Sequence, residues 1–153
     1  MKLSTRGRYG LRAMVDLAAN SGEEAVCIQS IAGRQNLSES YLEQLVRLLR
    51  KAGLVKSVRG AGGGYRLARP ADTISVGDVL RALEGDLEAV NCGAFQKEHP
   101  CGDAGHCVTK YVWKKINDAI GQAVDSIQLS ELVEESRRIR ENGAGNAEKV
   151  CKN

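Results

Sequence analysis

Nowhere among the 153 residues does an apolar run approach the roughly 18–20 residues that a membrane-spanning helix needs. The opening Met1-Lys2-Leu3-Ser4-Thr5-Arg6 lacks an apolar signal core, so a cytoplasmic protein with no membrane partner is the expectation. The five cysteines are odd in number and cannot all pair within the chain. In a cytosolic setting, clustered thiols point to metal or redox work rather than to staples. Only two histidines are present, His99 and His106, and both lie in the segment that carries three of the cysteines. No carboxylate pair and no nucleophile–base constellation stands out, so an enzyme is not expected. The glycine run at 60–64 lacks the Gly-Lys-Ser/Thr ending of a phosphate-binding loop. No internal repeat is visible.

What is present is enough to fold. Hydrophobic residues make up 42% of a chain the size of one ordinary domain. Its formal charge of +3 hides an asymmetry. Residues 1–69 carry 12 Lys/Arg against 5 Asp/Glu, and residues 70–153 carry 10 against 14. A basic half joined to an acidic half suggests that the first meets a polyanion.

The pattern predicts a mainly α fold with a small β-hairpin: a winged helix-turn-helix followed by a long dimerisation helix. Ser4 or Thr5 caps a first helix running to about Ala19, with Tyr9, Ala13 and Leu17 along one stripe. A short second helix lies near 29–35. Ser38 caps a third, with Glu39 in its first turn and Leu37 stapled to Leu42. Leu42, Leu45, Val46 and Leu49 form its buried stripe, and Gly53 ends it in a left-handed cap. Residues 54–58 and 65–68 then alternate as strands around the glycine-rich turn 59–64, forming the wing. Ser75 caps a fourth helix, which Gly85 closes. A helix over 108–126 carries Val108, Val112, Ile116, Ile120 and Val124 every four residues. This stripe buries itself either in a two-fold dimer seam or against its own domain.

The resulting organisation is a DNA-binding domain over 1–70, a connecting helix over 71–90 and a cysteine-bearing loop over 91–107. The dimerisation helix and its following segment occupy 108–135, and a flexible tail 136–153. Two short helices and a third after a tight turn match helix-turn-helix geometry. The third helix offers Ser40, Tyr41, Glu43, Gln44, Arg47 and Arg50 on its polar side. Glu43 suits cytosine, Gln44 suits adenine, and the cations suit phosphate. Arg59 stands at the base of a loop, Gly60 to Gly64, with almost no side chains, where a narrow minor groove can take it. A protein-interaction module built on the same scaffold is the competing class.

Three segments carry a resemblance. They are Met1-Lys2-Leu3-Ser4-Thr5-Arg6-Gly7-Arg8-Tyr9, Leu37-Ser38-x-Ser40-Tyr41-Leu42-Glu43-Gln44-Leu45, and the stretch from Gly53-Leu54-Val55 to Gly63-Gly64-Tyr65. Together they resemble the Rrf-type winged-helix transcription regulators, the IscR/NsrR/CymR family, over about residues 1–135. The resemblance implies a homodimer on an imperfect palindrome of double-stranded DNA, with the long helix as its seam. It implies DNA contact by Ser40, Glu43 and Arg59, with Glu43 as base discriminator. Tyr41 and Gln44 match as well, and Ser38, Arg47, Arg50, Gly60 and Gly62 complete the expected DNA surface.

Cys92, Cys101 and Cys107 share one glycine-containing loop, with eight and five residues between them. Three thiolates there can hold a soft metal or an iron–sulfur cluster, one ligand short of the usual four. Zinc and metal-free thiols remain alternatives. The resemblance to IscR-like members implies a 2Fe–2S cluster on three cysteines and a histidine two residues beyond the last of them. Here that position is Lys110. His106 is the first substitute, with His99, a carboxylate, water or a small thiol behind it. An aspartate from the partner's first helix, the NsrR-like solution, meets Arg6 and Arg8 instead. The reading is a cluster-sensing regulator, a repressor of cluster-assembly genes. The alternative is a cluster-free, CymR-like regulator of cysteine and sulfur metabolism that acts with a partner enzyme.

Overall fold

The computed structural model describes residues 2–98 and 100–150, the side chains of 144–150 excepted. Helices α1 (Thr5–Asn20), α2 (Ile28–Gln35) and α3 (Glu39–Lys51) come first. Strands β1 (Val55–Val58) and β2 (Gly64–Leu67) follow, then α4 (Val76–Glu84), α5 (Lys110–Ser126) and α6 (Leu129–Val150).

Local chemistry sets the boundaries. Ser4 caps α1 by accepting the Arg6 N–H, and Ser38 caps α3 by accepting the Tyr41 N–H. Ser75 and Asp78 form a reciprocal capping box on α4. The turn between α2 and α3 is made by Asn36 at φ +53°, a residue that tolerates the left-handed region. Gly53 ends α3 at φ +75°, with Gly53 N–H donating to Arg50 and Leu54 N–H to Leu49.

The core lies where α1, α2, α3 and α4 meet. Met14, Ile31, Leu42, Leu45, Leu49, Ile74 and Val79 are sealed from solvent there. The wing is antiparallel, with Val55 opposite Leu67 and Val58 opposite Gly64. It is tied to the helices by a bridge between Val26 and Tyr65, each N–H donating to the other's carbonyl at 2.8 Å. Gly64 permits this approach, because a Cβ there would stand 2.3 Å from the Val26 carbonyl oxygen.

Three expectations change. The chain does not become a tail at residue 136; α6 stays helical to Val150, and residues 151–153 lie outside the described residues. Leu129 explains part of this, since it is fully buried in the winged core and anchors the start of α6. The backbone reinforces it: Val76 N–H donates to Ile127 and Leu129 N–H to Ile74. The long helix begins at Lys110 rather than Val108. Finally, its stripe is divided. Ile120 and Val124 pack on Val76, Leu80 and Leu87 of their own chain. Val108, Val112 and Ile116 are exposed at 76%, 50% and 39%.

Candidate nucleic-acid interface and cysteine loop

The apolar stripe of α3 turns its other side outward. Ser40, Glu43, Gln44, Arg47 and Arg50 are all exposed, as are Arg59, Gly60 and Gly62 in the hairpin turn. Glu43, Arg47, Arg50 and Arg59 make no ion pair among the described residues. The helix and the wing adjoin: Glu43, Val46, Arg47 and Arg50 line one small groove together with Tyr65 of β2. A carboxylate and two cations of α3 therefore lie against β2, the strand that leaves the arginine-bearing turn.

Two of the expected DNA contacts also make contacts within the chain. Tyr41 turns inward, its ring edge-on to Tyr9 with centroids 6.3 Å apart. Its hydroxyl is buried without a hydrogen-bond partner among the described residues, while the residue as a whole is half-buried. Ser38 is exposed, but its oxygen is engaged with the Tyr41 N–H at 3.2 Å.

Polar groups that the sequence reading did not single out fix the position of the reading unit. Asp16 of α1 is buried, its side chain fully covered, and Arg34 of α2 grips it as a fork. Arg34 Nη2 lies 2.7 Å from Oδ1 and Nε 3.0 Å from Oδ2, while Gln35 donates to Oδ2 at 2.8 Å. This charge-assisted clamp locks α2 against α1, and α3 follows α2 after one turn. The Arg34 guanidinium is held above its ordinary value by that hydrogen bond. At the other end of α1, the Glu84 carboxylate accepts from the Ser4 and Gly7 N–H groups. It is held below the usual carboxylate range chiefly by the Ser4 hydroxyl. An aspartate three-quarters of the way along α1, between the apolar Val15 and Leu17, was the only sequence signal for the first clamp.

The cysteine loop leaves α4 beside Glu84. Cys92 and Cys107 are half-buried and Cys101 is exposed, all as free thiols. Backbone bonds draw the segments together: Cys101 N–H donates to Gly93, Ala104 N–H to Cys101, and Cys107 N–H to Asp103. The Thr109 hydroxyl, 3.1 Å from Cys107 Sγ, is the main cause that holds this thiol below its ordinary value. Among the described residues, no three Cys, His, Asp or Glu side chains converge as a metal site. As a donor set, three soft thiols on one short loop fit a cluster or a soft metal. Lys110 does not: its ammonium donates to the Ala104 carbonyl. His106 is exposed, and His99 lies outside the described residues. Among the described residues, no helix is long and apolar enough to cross a membrane.

Comparison with known proteins agrees with this geometry. Residues 3–135 match the Rrf2 family, described as an iron-dependent transcriptional regulator. The chain is 46% identical over 132 residues to the regulator CymR of Bacillus subtilis, covering 86% of this chain and 89% of that one. It is 42% identical over 139 residues to the regulator IscR of Vibrio vulnificus, covering 91% and 81%. Among solved structures, CymR, the global cysteine regulator of B. subtilis, is similar at a TM-score of 0.72, 44% identity and coverage of 88% and 98%. The T. potens IscR structure is similar at 0.70, 48% identity and coverage of 89% and 88%. These relatives are transcription regulators rather than enzymes, and their winged-helix architecture is the one found here. The chain belongs to the Rrf2 family of DNA-binding transcription regulators.

Proposed function

We propose that the chain is a cytoplasmic homodimeric repressor that reads an imperfect palindrome and reports iron–sulfur status to cluster-assembly genes. The observation that carries the DNA half is the exposed edge of α3 lying against Tyr65 of β2, the strand that leaves the turn bearing Arg59. Ser40, Glu43 and Gln44 meet base edges, Arg47 and Arg50 meet phosphate, and Arg59 enters the adjacent minor groove. Gly60 and Gly62 keep the turn slim enough to follow it. The exposed Val112 and Ile116 of α5, with Val108 just before it, support a dimer seam, because apolar side chains at these exposures gain by covering one another.

Cys92, Cys101 and Cys107 would hold a 2Fe–2S cluster, with His106 as the fourth donor assigned first. When bound, such a cluster supplies a redox- and iron-sensitive occupancy. The chain's part is to order the 91–107 loop between α4 and α5. Glu84 at the end of α4 holds Ser4 and Gly7 of α1, and Asp16 of α1 holds Arg34 of α2. A loop state that prefers one arrangement of α4 thereby biases the reading unit.

A second reading is favoured by Lys110 at the fourth-ligand position and by the likeness to a cysteine regulator. In it the loop stays metal-free and the signal comes from a partner enzyme of sulfur metabolism. Anaerobic reconstitution, followed by iron and acid-labile sulfide analysis and by operator selection with and without reconstitution, separates the two. A coloured protein with near-equal iron and sulfide supports the first. A colourless protein that still binds its selected duplex supports the second. Absence of salt-dependent duplex binding in both preparations would end the regulatory reading.

A further inference from the structure

We propose that Asn117 of α5 is a positioning residue for the cysteine loop: its side-chain amide pins the loop's entry to α5 and so sets where Cys92 stands. The placement of the thiol comes from this geometry, and its consequence for cluster retention rests on the cluster reading above.

The entry has little backbone support of its own. Gly85 N–H closes α4 on Arg81, and then residues 86–91 make no backbone–backbone hydrogen bond among the described residues. Side chains hold them instead. Leu87 is buried with Val76 and Leu80, where Ile120 and Val124 of α5 also pack. Asn117 supplies the polar part of the same contact. Its Oδ1 accepts the Ala89 N–H at 2.9 Å, and its Nδ2 donates to the Val90 carbonyl at 3.1 Å. One amide thus satisfies a donor and an acceptor of two successive, half-buried residues. Without it, both groups lose a partner at a place partly shielded from water.

The pinned point lies two residues before Cys92. The Cys92 carbonyl accepts the Phe95 N–H at 3.1 Å, and Gly93, directly after Cys92, accepts the Cys101 N–H at 3.0 Å. A shift of residues 89–90 therefore carries Cys92 and also the segment against which Cys101 is set. The other arm of the loop is gripped by α5 as well. Lys110 stands seven residues before Asn117, close to two turns, and so lies on the same face of the helix. Its ammonium donates to the Ala104 carbonyl, and Ala104 N–H donates to Cys101. One face of α5 holds the loop at both arms, and the residue at the expected fourth-ligand position serves as a clasp.

The buried winged core draws no side chain from α5. Loss of the two Asn117 bonds is therefore a local event in the loop. Ile116, next to Asn117, belongs to the exposed edge of α5, so the same side chain ties the thiols to the helix of the proposed seam.

The test uses the full chain with Asn117→Ala and Asn117→Asp, and with Lys115→Ala as a control at an exposed position of the same helix. Reduced, metal-free protein is treated with N-ethylmaleimide, and the labelling rate of each cysteine is read by peptide mass. Asn117→Ala should speed labelling of the half-buried Cys92 by about fivefold or more, because two hydrogen bonds no longer oppose opening of the loop. Cys27, in the winged domain, is the internal standard and should keep its rate. Lys115→Ala should match wild type at both cysteines. Asn117→Asp keeps an acceptor for Ala89 and loses the donor for Val90, so its Cys92 rate should fall between the two, and it decides alone if Asn117→Ala does not fold. A folded Asn117→Ala with the wild-type Cys92 rate overturns the inference. An equal rise at Cys27 overturns it too, since Asn117 would then support the whole fold rather than the loop. After anaerobic reconstitution, Asn117→Ala should start from the wild-type visible spectrum and lose it several-fold faster in the presence of a chelator; equal decay overturns the consequence for cluster retention. A wild type that takes up no iron ends the cluster reading, and Cys92 labelling still decides the placement.

Discussion

Glu84 Oε1 accepts the Ser4 backbone N–H at 2.9 Å, across 80 residues of sequence, and so closes the start of α1 with the end of α4. The same oxygen accepts the Ser4 hydroxyl and the Gly7 N–H at 2.9 Å, and Arg6 stands 4.0 Å from the other oxygen. A carboxylate from a distant helix thereby satisfies donors that a helix start leaves free, where the dipole also favours an anion.

That contact predicts an acid response. The folded-state pKa of Glu84 is depressed below its ordinary 4.5, so its stabilisation is complete above that value and is lost as pH falls through the lower one. Glu84→Gln should flatten the stability–pH curve below about pH 4.5 and change little in shape above it. Glu84→Ala should cost about 2 kcal/mol at neutral pH. Urea unfolding from pH 3 to 7 checks both, and an unchanged acid limb in Glu84→Gln would contradict the depressed value.

The Asp16–Arg34 clamp predicts an asymmetry. Removing Arg34 strands a fully covered carboxylate, whereas removing Asp16 frees a guanidinium that is 37% exposed. Arg34→Ala should therefore destabilise by about 3 kcal/mol, and Asp16→Asn by less. Denaturant midpoints of the two variants decide it; equal losses would mean that burial of Asp16 is not what matters.

On DNA, Arg59→Ala should weaken binding on all sequences, since it removes a groove contact that carries mostly charge. Glu43→Ala should relax base choice at one position of each half-site, by about 1–3 kcal/mol of discrimination. Selection from a randomised operator reads this directly. A uniform loss for Glu43→Ala would assign that residue to the phosphate backbone instead.

Lys110→His restores a ligand type at the position where the family resemblance expects one. After anaerobic reconstitution, this variant should retain more iron and sulfide per chain than wild type, with stronger visible absorbance. Identical metal content, low in both, would favour the metal-free reading.

Much of the fold was legible because its signals are local. Ser4, Ser38 and Ser75 sit at helix starts, as their short acceptor side chains require, and Gly53 sits where the backbone turns left-handed. The 3.6-residue stripe of α3 reports its buried side, which by exclusion delivers the DNA-facing residues. The packing of Tyr41 was not legible, because an aromatic ring at the edge of that stripe suits either side and its edge-on partner, Tyr9, lies on α1. The helix after 135 was not legible because its polar composition shows no stripe, while it continues from Leu129.

The sequence by itself determined the element order, the helix caps, the outward face of α3, the glycine turn beside Arg59 and the grouping of three thiols in one loop. Each depends on side chains within a few residues of one another, where covalent spacing fixes the geometry. The tertiary structure alone decided the Asp16–Arg34 and Ser4–Glu84 clamps, the inward Tyr41 and the division of the α5 stripe. Those features depend on which surfaces meet after the chain has turned back on itself. Pairwise contacts over such separations are chosen by packing and desolvation, and no local pattern records them.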